Sequence, residues 1–169
     1  GSAGTQRKVW EIDELSPNRV TLSHKMPYGE AGFPANRQLT AEFEILAGPV
    51  LCLTLTTTAD EASIANATNH SFWNLDGTDH LRDHQLRIAA DHVLATNDDT
   101  VPTGDFIPVS ATPFDFNNWR GLVPAAPPLD TTFCVARERR ALTPCLWLKG
   151  ASGVEMSVAT TEAGIHIYD

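Results

Sequence analysis

Apolar and polar residues alternate with a period of two along most of this chain. Across Gln38–Ile45, Leu39, Ala41, Phe43 and Ile45 share one face, while Gln38, Thr40, Glu42 and Glu44 share the other. Val50–Thr58 sets Leu51, Leu53 and Leu55 against Cys52, Thr54 and Thr56. Leu86, Ile88 and Ala90 oppose Gln85, Arg87 and Asp91, and Val154, Met156 and Val158 oppose Glu155, Ser157 and Ala159. Successive side chains of a strand point to opposite faces, so each stretch predicts a half-buried β-strand. Val20–His24, Thr132–Val135 and Leu142–Leu148 are shorter candidates, rich in residues suited to a pleated surface. Ala47-Gly48-Pro49 and Gly150-Ala151-Ser152-Gly153 predict hairpin turns. No long window carries the helical period, and Ala59–Ala67 predicts one helical turn at most. Val101–Pro128 holds six of the eleven prolines and is expected to be mostly loop, because proline cannot donate to a sheet ladder. Repeated short strands with tight turns predict an all-β, antiparallel β-sandwich or barrel, with residues 1–169 as one domain or a piece of one.

Charge and composition narrow the possible partners. Twelve Lys and Arg against 21 Asp and Glu leave a formal net charge of −9. That argues against nucleic acid, whose binding leans on clustered cations. The one compact basic cluster, Arg137, Arg139 and Arg140, is interrupted by Glu138 and reads as a solvated turn. No apolar run approaches the roughly 18 residues of a membrane-crossing helix. Cys52, Cys134 and Cys145 lack CxxC spacing and are read as small buried apolar side chains in a reducing, cytoplasmic compartment.

Three clusters can carry chemistry. His80 and His84, four apart and followed by His92, have the spacing of a helical zinc site. Their neighbourhood alternates instead, so they are expected to be hydrogen-bonded turn residues, and no metal is assigned. Asn69-His70-Ser71-Phe72-Trp73-Asn74-Leu75 packs an imidazole, two amides, a hydroxyl and two aromatic rings into seven residues. As a strand it would place His70, Phe72 and Asn74 on one face. Rings offer apolar surface and amides read hydroxyls, which suits a neutral, hydroxyl-rich ligand. From spacing alone, a buried and satisfied histidine is a readier reading of His70 than a catalytic one. Asp130, at a loop–strand junction, can bind a sugar hydroxyl or cap its own backbone.

At these residues the sequence resembles the aldose 1-epimerase (galactose mutarotase) family. Asn69–Gly77 (NHSFWNLDG) is similar to the family's N-H-S-[YF]-[FW]-N-L-x-G signature. Five further matches follow the same order as in the family. Gly29–Pro34 (GEAGFP) resembles GEEGFPG, with Ala35 in place of the last glycine. Asp83–Ala90 resembles D-H-x-L-x-I-x-A. Pro102–Gly104 with Thr112–Phe116 resembles the PTG and TPFDF pair. Leu129–Phe133 resembles Y-D-H-x-F, with Thr131 for the histidine. Thr160–Tyr168 resembles T-x-x-P-G-x-Q-x-Y, with Ala163 for the proline and His166 for the glutamine.

The resemblance implies a mutarotase-like supersandwich and a free aldohexose, of galactose or glucose type, as substrate. It implies that His70 is catalytic and that Asp130, His166 and Asn69 bind sugar. Interconverting α- and β-anomers requires opening the hemiacetal ring. A base takes the anomeric hydroxyl proton, an acid protonates the ring oxygen, and the ring recloses on its other face. No cofactor is expected. An imidazole exchanges protons near neutral pH, and His70 is assigned as the acid. Relatives acting on phosphorylated sugars would need a basic phosphate site, which the chain does not offer. The family's general-base Glu and an upstream His and Arg are not found, so the chain is expected to be the middle of a longer protein, inactive alone. The alternative is a non-catalytic carbohydrate-binding β-sandwich.

Overall fold

A computed structural model describes residues 4–122 and 129–169. The chain divides into two compact units, one ending at Ser71 and the other spanning Phe72–Asp169. Helix among the described residues is limited to two 3-10 turns, Thr5–Arg7 and Glu30–Gly32.

The first unit is one four-stranded sheet. Its strands are Glu11–Leu15 (β1), Arg19–Met26 (β2), Arg37–Leu46 (β3) and Val50–Ala59 (β4), each antiparallel to the next. The predicted strands at 38–45 and 50–58 lie in β3 and β4, joined by the turn at Ala47–Pro49 as expected. β1 escapes the sequence reading because every one of its residues is exposed, so burial imposes no alternation on it. In β3, burial alternates cleanly over Arg37, Leu39 and Ala41 and fades toward Ile45. Ala35 is buried with φ at +70°, a left-handed conformation that costs a residue with a Cβ about 1 kcal/mol relative to glycine.

Ala59–Ala67, for which the sequence allows one helical turn at most, forms none. Asp60 is committed elsewhere: its carboxylate accepts the Asn36 backbone N–H (2.9 Å) and side-chain amide (2.7 Å), and its own N–H donates to Asn36 O (3.2 Å). The Ser63 hydroxyl donates to Pro34 O (2.8 Å). Bonds a helix would use internally go to the loop before β3.

The second unit stacks two antiparallel sheets. Its strands are Gln85–Ile88 (β5), His92–Thr96 (β6), Pro102–Pro108 (β7), Arg120–Gly121 (β8), Asp130–Cys134 (β9), Thr143–Lys149 (β10), Glu155–Thr160 (β11) and Gly164–Tyr168 (β12). One sheet has the order β11-β10-β5-β8, the other β12-β9-β6-β7. Leu86, Ile88, Leu146 and Leu148 from the first sheet join Val93 and Phe133 from the second in one buried core. Phe133 is fully buried and meets Phe116 edge to face at 6.0 Å. The unit is thus a sandwich, as the alternation predicts.

The structure bears out one further expectation with an addition and corrects another. Among its described residues the proline-rich stretch is mostly loop and turn, as expected, but it also contains β7 and the short β8; its residues 123–128 lie outside the described ones. β7 tolerates proline because it is the edge of its sheet and its prolines stand at its two ends. Only Cys145 is fully buried, whereas Cys52 and Cys134 are half-buried. Cys145 falls at the register shift in β10, with its thiol toward Val158 O (3.6 Å), and burial raises its pKa.

His84 and Asp76 anchor the chain before β5. His84 is 1% exposed, and its Nε2 accepts the Leu75 N–H at 3.0 Å. The other nitrogen, Nδ1, lies 3.6 Å from an Asp76 carboxylate oxygen. Asp76 accepts the N–H groups of Ser152 and Ala151, both at 2.9 Å, in the β10–β11 turn. Gly150 is required beside it, because a Cβ there would fall 2.2 Å from the Asp76 carboxylate. The Ser152 hydroxyl and N–H lead in holding the Asp76 carboxyl below the usual range; Ala151 N–H and His84 assist, and burial opposes them. A carboxyl depressed on folding adds stability above its unfolded value, near 4, and loses it as pH falls through the folded value. Stability measured by urea unfolding should therefore drop more steeply below about pH 4 in the native chain than in Asp76→Asn. Equal acid slopes would remove this role.

Candidate functional site

Within the second unit, β9 and β12 carry the densest polar arrangement on an exposed sheet face. Alternation sends Phe133 of β9 and Ile165 and Ile167 of β12 toward the core. Asp130 and Thr132, with His166 and Tyr168, therefore point the other way. The strands pair antiparallel, with His166 opposite Thr132 and Tyr168 opposite Asp130. The far end is pinned by Leu129 N–H donating to the Asp169 carboxylate (2.7 Å) and Asp169 N–H to Leu129 O (3.1 Å).

This register brings two predicted residues together. His166 Nε2 lies 2.9 Å from Asp130 Oδ1, and His166 Nδ1 lies 2.9 Å from Thr132 Oγ1. Asp130 therefore uses one oxygen on a histidine, and no Asx turn involves it among the hydrogen bonds of the described residues. An ionised carboxylate only accepts, so Nε2 carries a hydrogen; when the ring is neutral, Nδ1 then accepts the Thr132 hydroxyl. Gly164 makes this orientation possible. A Cβ at Gly164 would stand 3.0 Å from the Thr132 methyl, so the glycine leaves that methyl room while the hydroxyl faces the imidazole. Both side chains of the His166–Asp130 pair remain more than half exposed, 52% and 61%, and open to a ligand.

Aromatic rings adjoin the pair. Phe72 meets Tyr168 edge to face at 6.4 Å, and both are exposed. On the same sheet, His92 of β6 meets Phe106 of β7 edge to face at 6.5 Å. Thr132 and Tyr168 were not singled out from sequence; the alternation of Gly164–Tyr168, with Ile165 and Ile167 inside, is the signal that would have placed Tyr168 beside His166.

Asn69 and His70 belong to the first unit, at its end, and both are exposed. Asn69–Leu75 does not form the strand weighed for it and is irregular. Its asparagines explain why. Asn69 Oδ1 accepts the Ser71 N–H (3.1 Å) and the Ser71 hydroxyl. Asn74 Oδ1 accepts the Asp76 N–H (3.0 Å), while its amide donates to Thr78 O (2.6 Å). Asparagine side chains bonded two residues onward build turns that compete with a sheet ladder. His70 is not sealed in a core.

His84, by contrast, is buried and hydrogen-bonded at one ring nitrogen, as expected of a structural member of the His80–His84 pair, while its Nδ1 has no hydrogen-bond partner among the described residues. Its Nε2 is taken by Leu75, and the His80 and Asp79 side chains approach only to 4.0 Å. Arg139 of the basic cluster pairs with Glu162 at 3.0 Å on the surface.

The family model for aldose 1-epimerase matches residues 1–169. Galactose mutarotase from Sus scrofa is 29% identical over 99% of this chain and 51% of its own length. The Homo sapiens galactose mutarotase is 30% identical with the same coverage. The Escherichia coli aldose 1-epimerase is 29% identical over 70% of this chain and 34% of its own length. Among solved structures, an aldose epimerase homologue from C. elegans superposes with a TM-score of 0.90 at 25% identity, covering 99% of this chain and 53% of that one. The chain spans about half the length of the curated mutarotases it matches.

Proposed function

Because this chain belongs to the aldose 1-epimerase family, we propose that it contributes to an isomerase that interconverts the α- and β-anomers of a free aldohexose. In this reading His70 gives its proton to the ring oxygen as the hemiacetal opens and takes it back on closure. Asp130 and His166 hold sugar hydroxyls, and the Asn69 amide supports the segment that carries His70. The observation that carries the proposal is the exposed Asp130–His166 pair beside Tyr168 and Phe72. A carboxylate beside flat rings is the arrangement a pyranose calls for: charge-assisted acceptors for hydroxyls and an apolar surface for C–H groups.

The chemistry needs a positioned acid and base and bound hydroxyls to hold the ring still while its anomeric carbon rotates. A free sugar fits better than a phosphorylated one, since Arg139 is already paired with Glu162 and the cluster is exposed. The test is polarimetric. Freshly dissolved α-D-galactose should lose its excess rotation faster with the full-length gene product than without it, and D-glucose should be tried beside it. A rate equal to the spontaneous one for both sugars would refute the proposal.

A further inference from the structure

We propose that the Thr132–His166–Asp130 chain is a proton-sensitive selector that favours neutral, polyhydroxylated ligands when His166 is uncharged; the inference rests on the sugar-binding reading above. The geometry defines two hydrogen-bonding states. With His166 neutral, Nε2–H donates to Asp130 Oδ1 at 2.9 Å, and the Thr132 hydroxyl donates to Nδ1 at 2.9 Å. The Thr132 oxygen lone pairs and the second Asp130 oxygen are then acceptors. Such a face takes hydroxyl hydrogens from a sugar, and one of its acceptors carries a full charge.

Taking a proton from solvent at Nδ1 changes both ends together. The new Nδ1–H donates to Thr132 Oγ1, which must turn its own hydrogen outward, so an acceptor becomes a donor. At the other end the imidazolium neutralises much of the Asp130 charge. Hydrogen bonds to a charged acceptor are about twice as strong as neutral ones, so a hydroxyl on Asp130 is held less tightly. One strand pair thus couples ligand affinity to the protonation of a single ring. The pair is exposed, so sugar and solvent both reach it.

Other groups near this face titrate or carry charge. β9 contributes Asp130 itself, and β12 contributes Tyr168 and the adjoining Asp169. One strand further, β6 presents His92 opposite Cys134. All of these persist in His166→Gln, whose amide can still donate and accept but cannot titrate. Dependence due to them, or to His70, therefore survives in that variant, and dependence due to His166 disappears.

The experiment is an NMR titration of the full-length protein with D-galactose at pH 8.0 and pH 5.5, for wild type, His166→Gln and Thr132→Val. The dissociation constant of wild type should rise about fivefold on acidification, while that of His166→Gln should change less than about twofold. Thr132→Val, which removes the reversible hydroxyl, should bind more weakly at pH 8.0 and show a reduced acid effect. At pH 8.0, long-range proton–nitrogen spectra of His166 should show the hydrogen on Nε2. A hydrogen on Nδ1, or an acid effect equal in wild type and His166→Gln, would overturn the selector and leave the sugar site standing. Absence of galactose binding in all three proteins would overturn the sugar-binding reading itself, and the selector with it.

Discussion

In the full-length gene product, replacing His70 with alanine should on the proposed reading lower kcat for galactose mutarotation by about 10²–10⁴-fold, the contribution usual for a positioned general acid or base. The imidazole is exposed on an irregular segment, outside the buried cores of the chain. Its removal empties no buried core space. The kinetic pattern is diagnostic. A group that acts on the ring oxygen during opening lowers kcat and kcat/KM together, whereas one that merely holds sugar raises KM at constant kcat. Asp130→Asn should show the second pattern, since it keeps the shape and loses the charge. Small exogenous imidazole should restore part of the lost rate to His70→Ala. Full turnover in the alanine variant would exclude His70 from proton transfer.

Phe133→Ala should cost the folded chain about 3–5 kcal/mol in urea or guanidinium unfolding, the range for emptying a large aromatic from a packed core. Phe133 is fully buried, meets Phe116 edge to face, and sits opposite Val93 in the sheet register. Its strand also carries Asp130 and Thr132 on the opposite face. The substitution should therefore loosen the site as well as the core, and binding of galactose should weaken in whatever fraction stays folded. Phe133→Leu, which refills most of the space, should lose far less. A loss below about 1 kcal/mol for the alanine variant would mean that the two sheets of the second unit do not depend on this ring.

Burial of one face made many strands legible but not all: β6 and β12 escaped, although Val93, Ile165 and Ile167 pack toward the core. β3, β4, β5 and β11 announce themselves because Leu39, Leu53, Leu86 and Val158 belong to apolar faces that alternate with largely polar ones, whereas Leu146 of β10 lies between Cys145 and Trp147. β1 and β7 are exposed along their whole length, so nothing in their composition had to alternate. At β7, prolines also suggested a loop, which holds for the interior of a sheet and fails at an edge. The opposite case is Asn69–Leu75. Its rings and amides allow a strand, but Asn69 and Asn74 bond their own backbone first. Among the candidate site residues, the chemistry of His70, Asn69, Asp130 and His166 could be named from motif and residue type. Thr132 could not, because a threonine in a strand carries no mark of what its hydroxyl will meet.

The residue order by itself determined an all-β architecture and two hairpins, because side-chain polarity with period two is a local property. Tertiary structure alone decided that Asp130 and His166, 36 positions apart, would share a hydrogen bond, and that Thr132 would close the chain of contacts. The reason is register: a slip of one residue between β9 and β12 would turn the wrong faces together, and that alignment is set by the packing of Phe133, Ile165 and Ile167 beneath.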